Sequence, residues 1–92
     1  MKFQHILDGG APPIIAILRG IEPKQVQQIG RVLVDAGIRI IEVPLNSPQA
    51  LLSIERLAGS LPADVLMGAG TVTSVEAVDS VAASGGRLVV AP

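Results

Sequence analysis

Residues 39–48 read Arg-Ile-Ile-Glu-Val-Pro-Leu-Asn-Ser-Pro (RIIEVPLNSP), and the fold turns on what kind of element holds them. Ile40, Ile41, Val43 and Leu45 place bulky apolar side chains on both alternating sets of positions. A half-exposed strand would carry polar residues on one set. A continuous β-branched run is the mark of a strand buried on both faces, as in a parallel sheet. Glu42 breaks the run. An ionised carboxylate among such neighbours is costly unless something pairs with it or uses it. Either the strand end is solvated, or the charge is there for chemistry.

Outward from this stretch, similar aliphatic runs occur at Pro13–Leu18, Val65–Ala69 and Arg87–Ala91. Segments with helical spacing lie between them. The first, Pro23 to Ala36, carries Val26, Ile29, Leu33 and Ala36 three or four apart, with Pro23 suited to the first turn and Gly37 just past the end. Asn46-Ser47-Pro48 predicts the start of the second, with Ser47 as N-cap and Pro48 at the first helical position. Its stripe is Leu51, Ile54, Leu57 or Ala58, and Leu61. The third opens on Thr73-Ser74-Val75-Glu76, a capping-box pattern, runs through Val75, Val78, Val81 and Ala82, and ends at Gly85-Gly86.

The order β-α-β-α-β-α-β favours parallel strands joined by helical crossovers. Two architectures fit it: a doubly wound open sheet and a (β/α)₈ barrel. No linker or low-complexity tract divides the chain, so residues 1–92 are expected to form one unit. A (β/α)₈ barrel takes about 200 residues or more, so four strands are half of one. If the barrel is the one adopted, the domain is partial and continues in a longer chain beyond strand 4. A free half-barrel would expose unpaired strand edges.

Composition narrows the chemistry. With 49% hydrophobic and 16% charged residues, the chain is globular rather than disordered. The one aromatic residue is Phe3, so the core must be aliphatic. A net charge of −1, no basic cluster and no aromatic platforms argue against nucleic-acid binding. Cysteine is absent, which excludes disulfides and thiolate metal sites, and the lone His5 makes no metal site. The amino terminus lacks a signal-peptide core, and no apolar run approaches the roughly 20 residues needed to span a bilayer. A soluble cytoplasmic chain without membrane contact is expected.

Both α/β architectures hold their chemistry at the carboxyl ends of the strands. The residues there are Arg19, Glu42, Asn46, Thr71 and Pro92. Alternation groups Ile15, Ile17 and Arg19 on one face, Ile40, Glu42 and Pro44 on another, and Met67, Ala69 and Thr71 on a third. If these are the interior faces, Arg19, Glu42 and Thr71 converge at one mouth. Each has a blander reading. Arg19 could be a surface residue leaving the sheet, Glu42 could form a buried ion pair with Arg19, and Thr71 could be a turn residue. Gly68-Ala69-Gly70-Thr71-Val72-Thr73 invites a dinucleotide reading, but the third glycine is missing and no acidic residue closes the following strand. These glycines more plausibly admit a ligand or a neighbouring strand.

Taken together, Ala16-Ile17-Leu18-Arg19-Gly20, Ile41-Glu42-Val43-Pro44-Leu45-Asn46-Ser47-Pro48, Gly68-Ala69-Gly70-Thr71-Val72 and Val89-Val90-Ala91-Pro92 resemble the amino-terminal half of the 2-dehydro-3-deoxy-phosphogluconate/phosphogalactonate aldolase family. Asn46 resembles the phosphogalactonate branch, since the phosphogluconate branch commonly has arginine there. The resemblance implies a (β/α)₈ barrel, typically trimeric. It implies a class I aldolase that cleaves 2-dehydro-3-deoxy-6-phosphogalactonate to pyruvate and glyceraldehyde 3-phosphate through a lysine Schiff base. No metal or other cofactor is implied. Glu42 matches the family's general acid/base. Arg19 matches a substrate-binding arginine, Thr71 a threonine that holds the pyruvyl carboxylate, and Pro92 a proline lining the site. The Schiff-base lysine is expected beyond residue 92, because Lys2 and Lys24 match no such position. The segment alone is then expected to be inactive. The other readings are a phosphogluconate-type aldolase and a non-catalytic half-barrel that folds by association.

Overall fold

The computed structural model describes residues 14–91. Its elements are β1 (Ile15–Ile17), α1 (Pro23–Asp35), β2 (Ile40–Pro44), α2 (Ala50–Ser60), β3 (Leu66–Gly70), α3 (Val75–Ala83) and β4 (Leu88–Val89). All neighbouring strands pair in parallel, in the order β1-β2-β3-β4. A doubly wound sheet reverses its strand order at a switch point, whereas sequential order is how a barrel wall grows. The two sheet faces differ in the same sense. Ile41, Val43, Met67 and Ala69 join Val26, Ile54, Leu57 and Val81 of the helices in the main core. On the opposite face, Ile40, Leu66 and Leu88 form a small cluster that no helix among the described residues covers. Helices on one side and a concave apolar face on the other make this a section of barrel wall.

The helices form close to where local chemistry predicts, with their stripes turned. α1 begins at Pro23 behind a capping box in which Glu22 and Gln25 satisfy each other's backbone N–H groups. It closes just before Gly37, with Ile38 N–H donating to Leu33 O at 2.9 Å. Its buried positions are Val26 and Gly30, while Ile29 is exposed. Gly30 sets this rotation: a Cβ there would come within 2.7 Å of Leu57 Cδ2, so α2 packs directly onto the glycine. Along α2 the buried set is Ala50, Ser53, Ile54 and Leu57, and Leu51 is exposed. In α3, Ser74 caps the helix by accepting from Ala77 N–H at 3.1 Å, and Val81 is the buried residue.

Pro44 decides where β1 ends. Leu18 N–H donates to Glu42 O at 2.9 Å, and the next ladder bond would run from residue 44 to Leu18 O. Proline has no N–H to give. Leu18 O instead accepts from Ile21 N–H at 3.3 Å, closing a turn through Arg19 and Gly20. Gly20 has φ +76°, the value a type II turn requires at its third position.

At the amino ends of the strands the charges are structural. The Arg39 guanidinium donates to Val34 O at 2.9 Å and to Ile38 O at 3.1 Å, and its Nε lies 3.3 Å from Asp64 Oδ2. One side chain thus ties the end of α1 to the loop before β3. Arg39→Leu should lower the unfolding free energy by roughly 1–2 kcal/mol, measured by urea denaturation, because charge-assisted bonds to half-buried carbonyls are lost. Turnover should not change, since Arg39 lies at the opposite end of the strand from the candidate site.

Candidate active site

Glu42 is the middle residue of β2 and only 6% exposed. Its register partners are Ile17 on β1 and Gly68 on β3, so its side chain stands on the concave face between an isoleucine and a glycine. Gly70, two residues further along β3, lies under the carboxyl group. A Cβ built there would collide with Glu42 Cδ and Oε2. A Cβ at Gly68 would strike the Leu88 backbone, so that glycine lets β4 approach. Without these two side chains the wall has a hollow, and the carboxylate lies in it.

This corrects the expected face of β3. The register pairs Glu42 with Gly68 and Pro44 with Gly70, so Leu66, Gly68 and Gly70 share the concave face. Met67 and Ala69 belong to the helix-side core. The physical reason is volume: Met67 fills space under the helices, whereas the concave face beside Glu42 has room only for hydrogen. Thr71 therefore does not continue a strand face. It leaves β3 in the left-handed region at φ +58° and is exposed. That conformation is an outlier for a β-branched residue, and retained strain of this kind clusters at functional sites. Thr71→Gly should melt no lower than the parent, because relief of roughly 1–2 kcal/mol of strain offsets the extra freedom of the unfolded chain.

Arg19 is exposed in the turn after β1. It follows Ile17, the last residue of β1 and the register partner of Glu42, by two positions. The alternative of a buried Glu42–Arg19 ion pair is not realised. The ion pairs among the described residues are Lys24–Glu22 at 3.4 Å and Arg39–Asp64 at 3.3 Å. None of the side-chain hydrogen bonds among those residues reaches the Glu42 carboxylate. Among the described residues its surroundings are apolar and no side chain or backbone N–H donates to its carboxylate, so the group is available to an incoming proton donor.

Other expected positions fare differently. Pro92 lies outside the described residues, as do Lys2 and His5. Lys24 is held by Glu22 on an exposed helix start. Ser47 is not the N-cap of α2. That helix starts at Ala50 behind Gln49, whose φ of +46° and lack of a side-chain bond mark a different entry. Ser47 is buried and accepts from Gly20 N–H at 3.1 Å instead. A cavity of about 540 Å³ lies between α2 and α3, lined by Leu45, Ala50, Leu51 and Ala77 among others. It contains no titratable side chain and is not the place for proton transfer. No group of three His, Asp or Glu among the described residues could hold a metal ion. Nor is any helix among those residues long and apolar enough to cross a membrane.

With this geometry in place, the likeness to known proteins is specific. A family profile described as KDPG and KHG aldolase matches residues 9–92. A probable 2-dehydro-3-deoxy-6-phosphogalactonate aldolase of Rhizobium meliloti is 45% identical over 80 residues, covering 87% of this chain and 38% of the relative. The native KDPGal structure superposes with a TM-score of 0.84 at 43% identity, over 88% of this chain and 39% of that one. The KDPG aldolase of Legionella pneumophila, solved with pyruvate captured as a covalent carbinolamine, gives a TM-score of 0.81 at 32% identity, over 89% of this chain and 39% of that one. The chain thus spans about two-fifths of the length of these relatives. Four parallel strands alternating with three helices agree with these matches, and the chain belongs to the KDPG and KHG aldolase family.

Proposed function

We propose that these residues form the first four strands of a class I aldolase that cleaves 2-dehydro-3-deoxy-6-phosphogalactonate to pyruvate and glyceraldehyde 3-phosphate. The carrying observation is Glu42, buried on the concave face above Gly70 with no partner of its own among the described residues. The name of the Rhizobium relative supports the substrate, and the pyruvate carbinolamine of the Legionella enzyme supports the covalent route.

The chemistry requires a movable proton at one carbon. A lysine amine adds to the C2 carbonyl, and the carbinolamine loses water when an acid protonates its hydroxyl. The resulting iminium accepts the electron pair of the C3–C4 bond as a base removes the C4 hydroxyl proton. The enamine is then protonated at C3, and hydrolysis releases pyruvate. A single carboxyl group that alternates between acid and base serves these steps, and Glu42 has that role. Arg19 meets an anionic group of the substrate with its guanidinium fork. Thr71 holds the pyruvyl carboxylate, and Pro92 lines the site. The lysine lies beyond residue 92, so residues 1–92 form one partial-barrel unit that is inactive by itself. The assembly is a homotrimer, as the family resemblance implies. We put the enzyme in the cytoplasm, a reading supported by a substrate whose carboxylate and phosphate keep it from crossing membranes unaided.

Borohydride reduction of the complete protein with pyruvate tests the covalent step. The expected result is an intact-mass gain equal to one reduced pyruvyl group, and no adduct would overturn the Schiff-base assignment.

A further inference from the structure

The geometry points to Ser47 as a positioning residue for Arg19, an inference that rests on the aldolase reading above. Arg19 is exposed, in a turn whose glycine has nothing within 4 Å of its Cβ position. Such a turn would ordinarily wander. Here it is fixed on both sides by bonds to the same partner element. On the leading side, Leu18 N–H donates to the carbonyl of Glu42 itself at 2.9 Å. On the trailing side, Gly20 N–H donates to Ser47 Oγ at 3.1 Å, across 27 residues of sequence. Arg19 is therefore held between two bonds, one to Glu42 and one to the loop that follows Glu42.

The second bond is built with care. Ser47 is only 6% exposed, and its own N–H donates to Pro44 O at 2.9 Å, which fixes the residue to the end of β2. Its hydroxyl is free for this role because α2 begins three residues later and does not use it as a cap. The bond is also needed locally. Gly20 has left the ladder in the turn after β1, Pro44 O is taken by Ser47 N–H, and Ser47 Oγ is the acceptor that Gly20 N–H finds among the described residues. The consequence is functional: the distance from the guanidinium to the Glu42 carboxylate is set by Ser47, so substrate binding depends on a hydroxyl that need not touch substrate.

The test is Ser47→Ala in the complete enzyme, alone and combined with Arg19→Ala. A lost hydrogen bond of ordinary strength predicts a KM raised about five- to tenfold, with kcat within about twofold. In the Arg19→Ala background the same change should leave KM unaltered, because the turn then holds nothing. Ser47→Thr, which keeps the hydroxyl, should restore the parent KM. Equal KM effects in both backgrounds, or no effect in either, would overturn the proposal. Amide exchange at Gly20 gives a readout independent of turnover and of how well the alanine variant folds. It should quicken at least tenfold in Ser47→Ala and stay slow in Ser47→Thr, and unchanged exchange sinks the idea even in an enzyme that cleaves substrate normally. If the parent forms no borohydride adduct, the aldolase reading fails separately, while Gly20 exchange still decides whether Ser47 holds the turn.

Discussion

Glu42→Gln should reduce kcat of the complete enzyme by about 10²- to 10⁴-fold, the usual size of a general acid/base contribution, and leave the fold intact. Glutamine nearly matches the carboxyl group in shape. Nothing structural is lost with the charge, because no hydrogen bond or ion pair among the described residues ends on it. A charge buried among Ile17, Ile40 and glycine backbone costs stability, so the neutral side chain should melt at the same temperature or higher. Steady-state turnover together with a melting curve checks both halves. A fall in both activity and melting temperature would mean that Glu42 holds the sheet together, and near-normal turnover would remove it from the mechanism.

Gly70→Ala should be almost as damaging, although it adds one carbon. Gly70 is not among the residues with positive φ, so alanine meets no backbone objection there. The obstacle is the new Cβ, which would occupy the space of Glu42 Cδ and Oε2. Either the carboxyl group swings off the glycine or β3 shifts, and a displacement of about 1 Å at a reacting group can lower the rate on the order of 100-fold. Overpacking of this kind costs roughly 1–3 kcal/mol in stability, too little to explain such a loss by unfolding. The decisive measurement is the pair: in a Glu42→Gln background, Gly70→Ala should add almost nothing to the loss, because both changes remove the same carboxylate. Additive losses would show that Gly70 acts elsewhere.

How much of this was legible in the sequence follows from the range of the forces involved. The strands were readable because two-sided burial selects unbroken β-branched runs, and the helix ends because glycine and capping residues act within one turn. Periodicity alone left the choice between open sheet and barrel undecided, and the resemblance carried by the strand-end motifs made it. Strand order is a property of the assembled sheet, and it is settled by Ile15 pairing with Ile40 and Ile40 with Leu66. Glu42 stood out because a charge in an apolar run is an energetic anomaly wherever the run is placed. The phase of β3 was misread for a related reason. Glycine carries no side chain to announce a face, and hydrophobic Met67 drew the interior assignment to the wrong set. Ser47 could not be read correctly either. Ser-Pro before a helical pattern is a sound local signal for a cap, but the competing partner, Gly20 N–H, lies 27 residues away.

The sequential strand order has a consequence for how the chain is made. Paired residues are 25 apart between β1 and β2, 26 between β2 and β3, and 20 between β3 and β4, as in Ile15–Ile40, Ile40–Leu66 and Gly68–Leu88. Each of β2, β3 and β4 finds a partner among residues that left the ribosome just before it. At about 5–20 residues synthesised per second, each new βα unit has a second or more to dock before the next emerges. Glu42, its glycine hollow and the bolted arginine turn thus belong to a wall whose strands can dock one after another during translation.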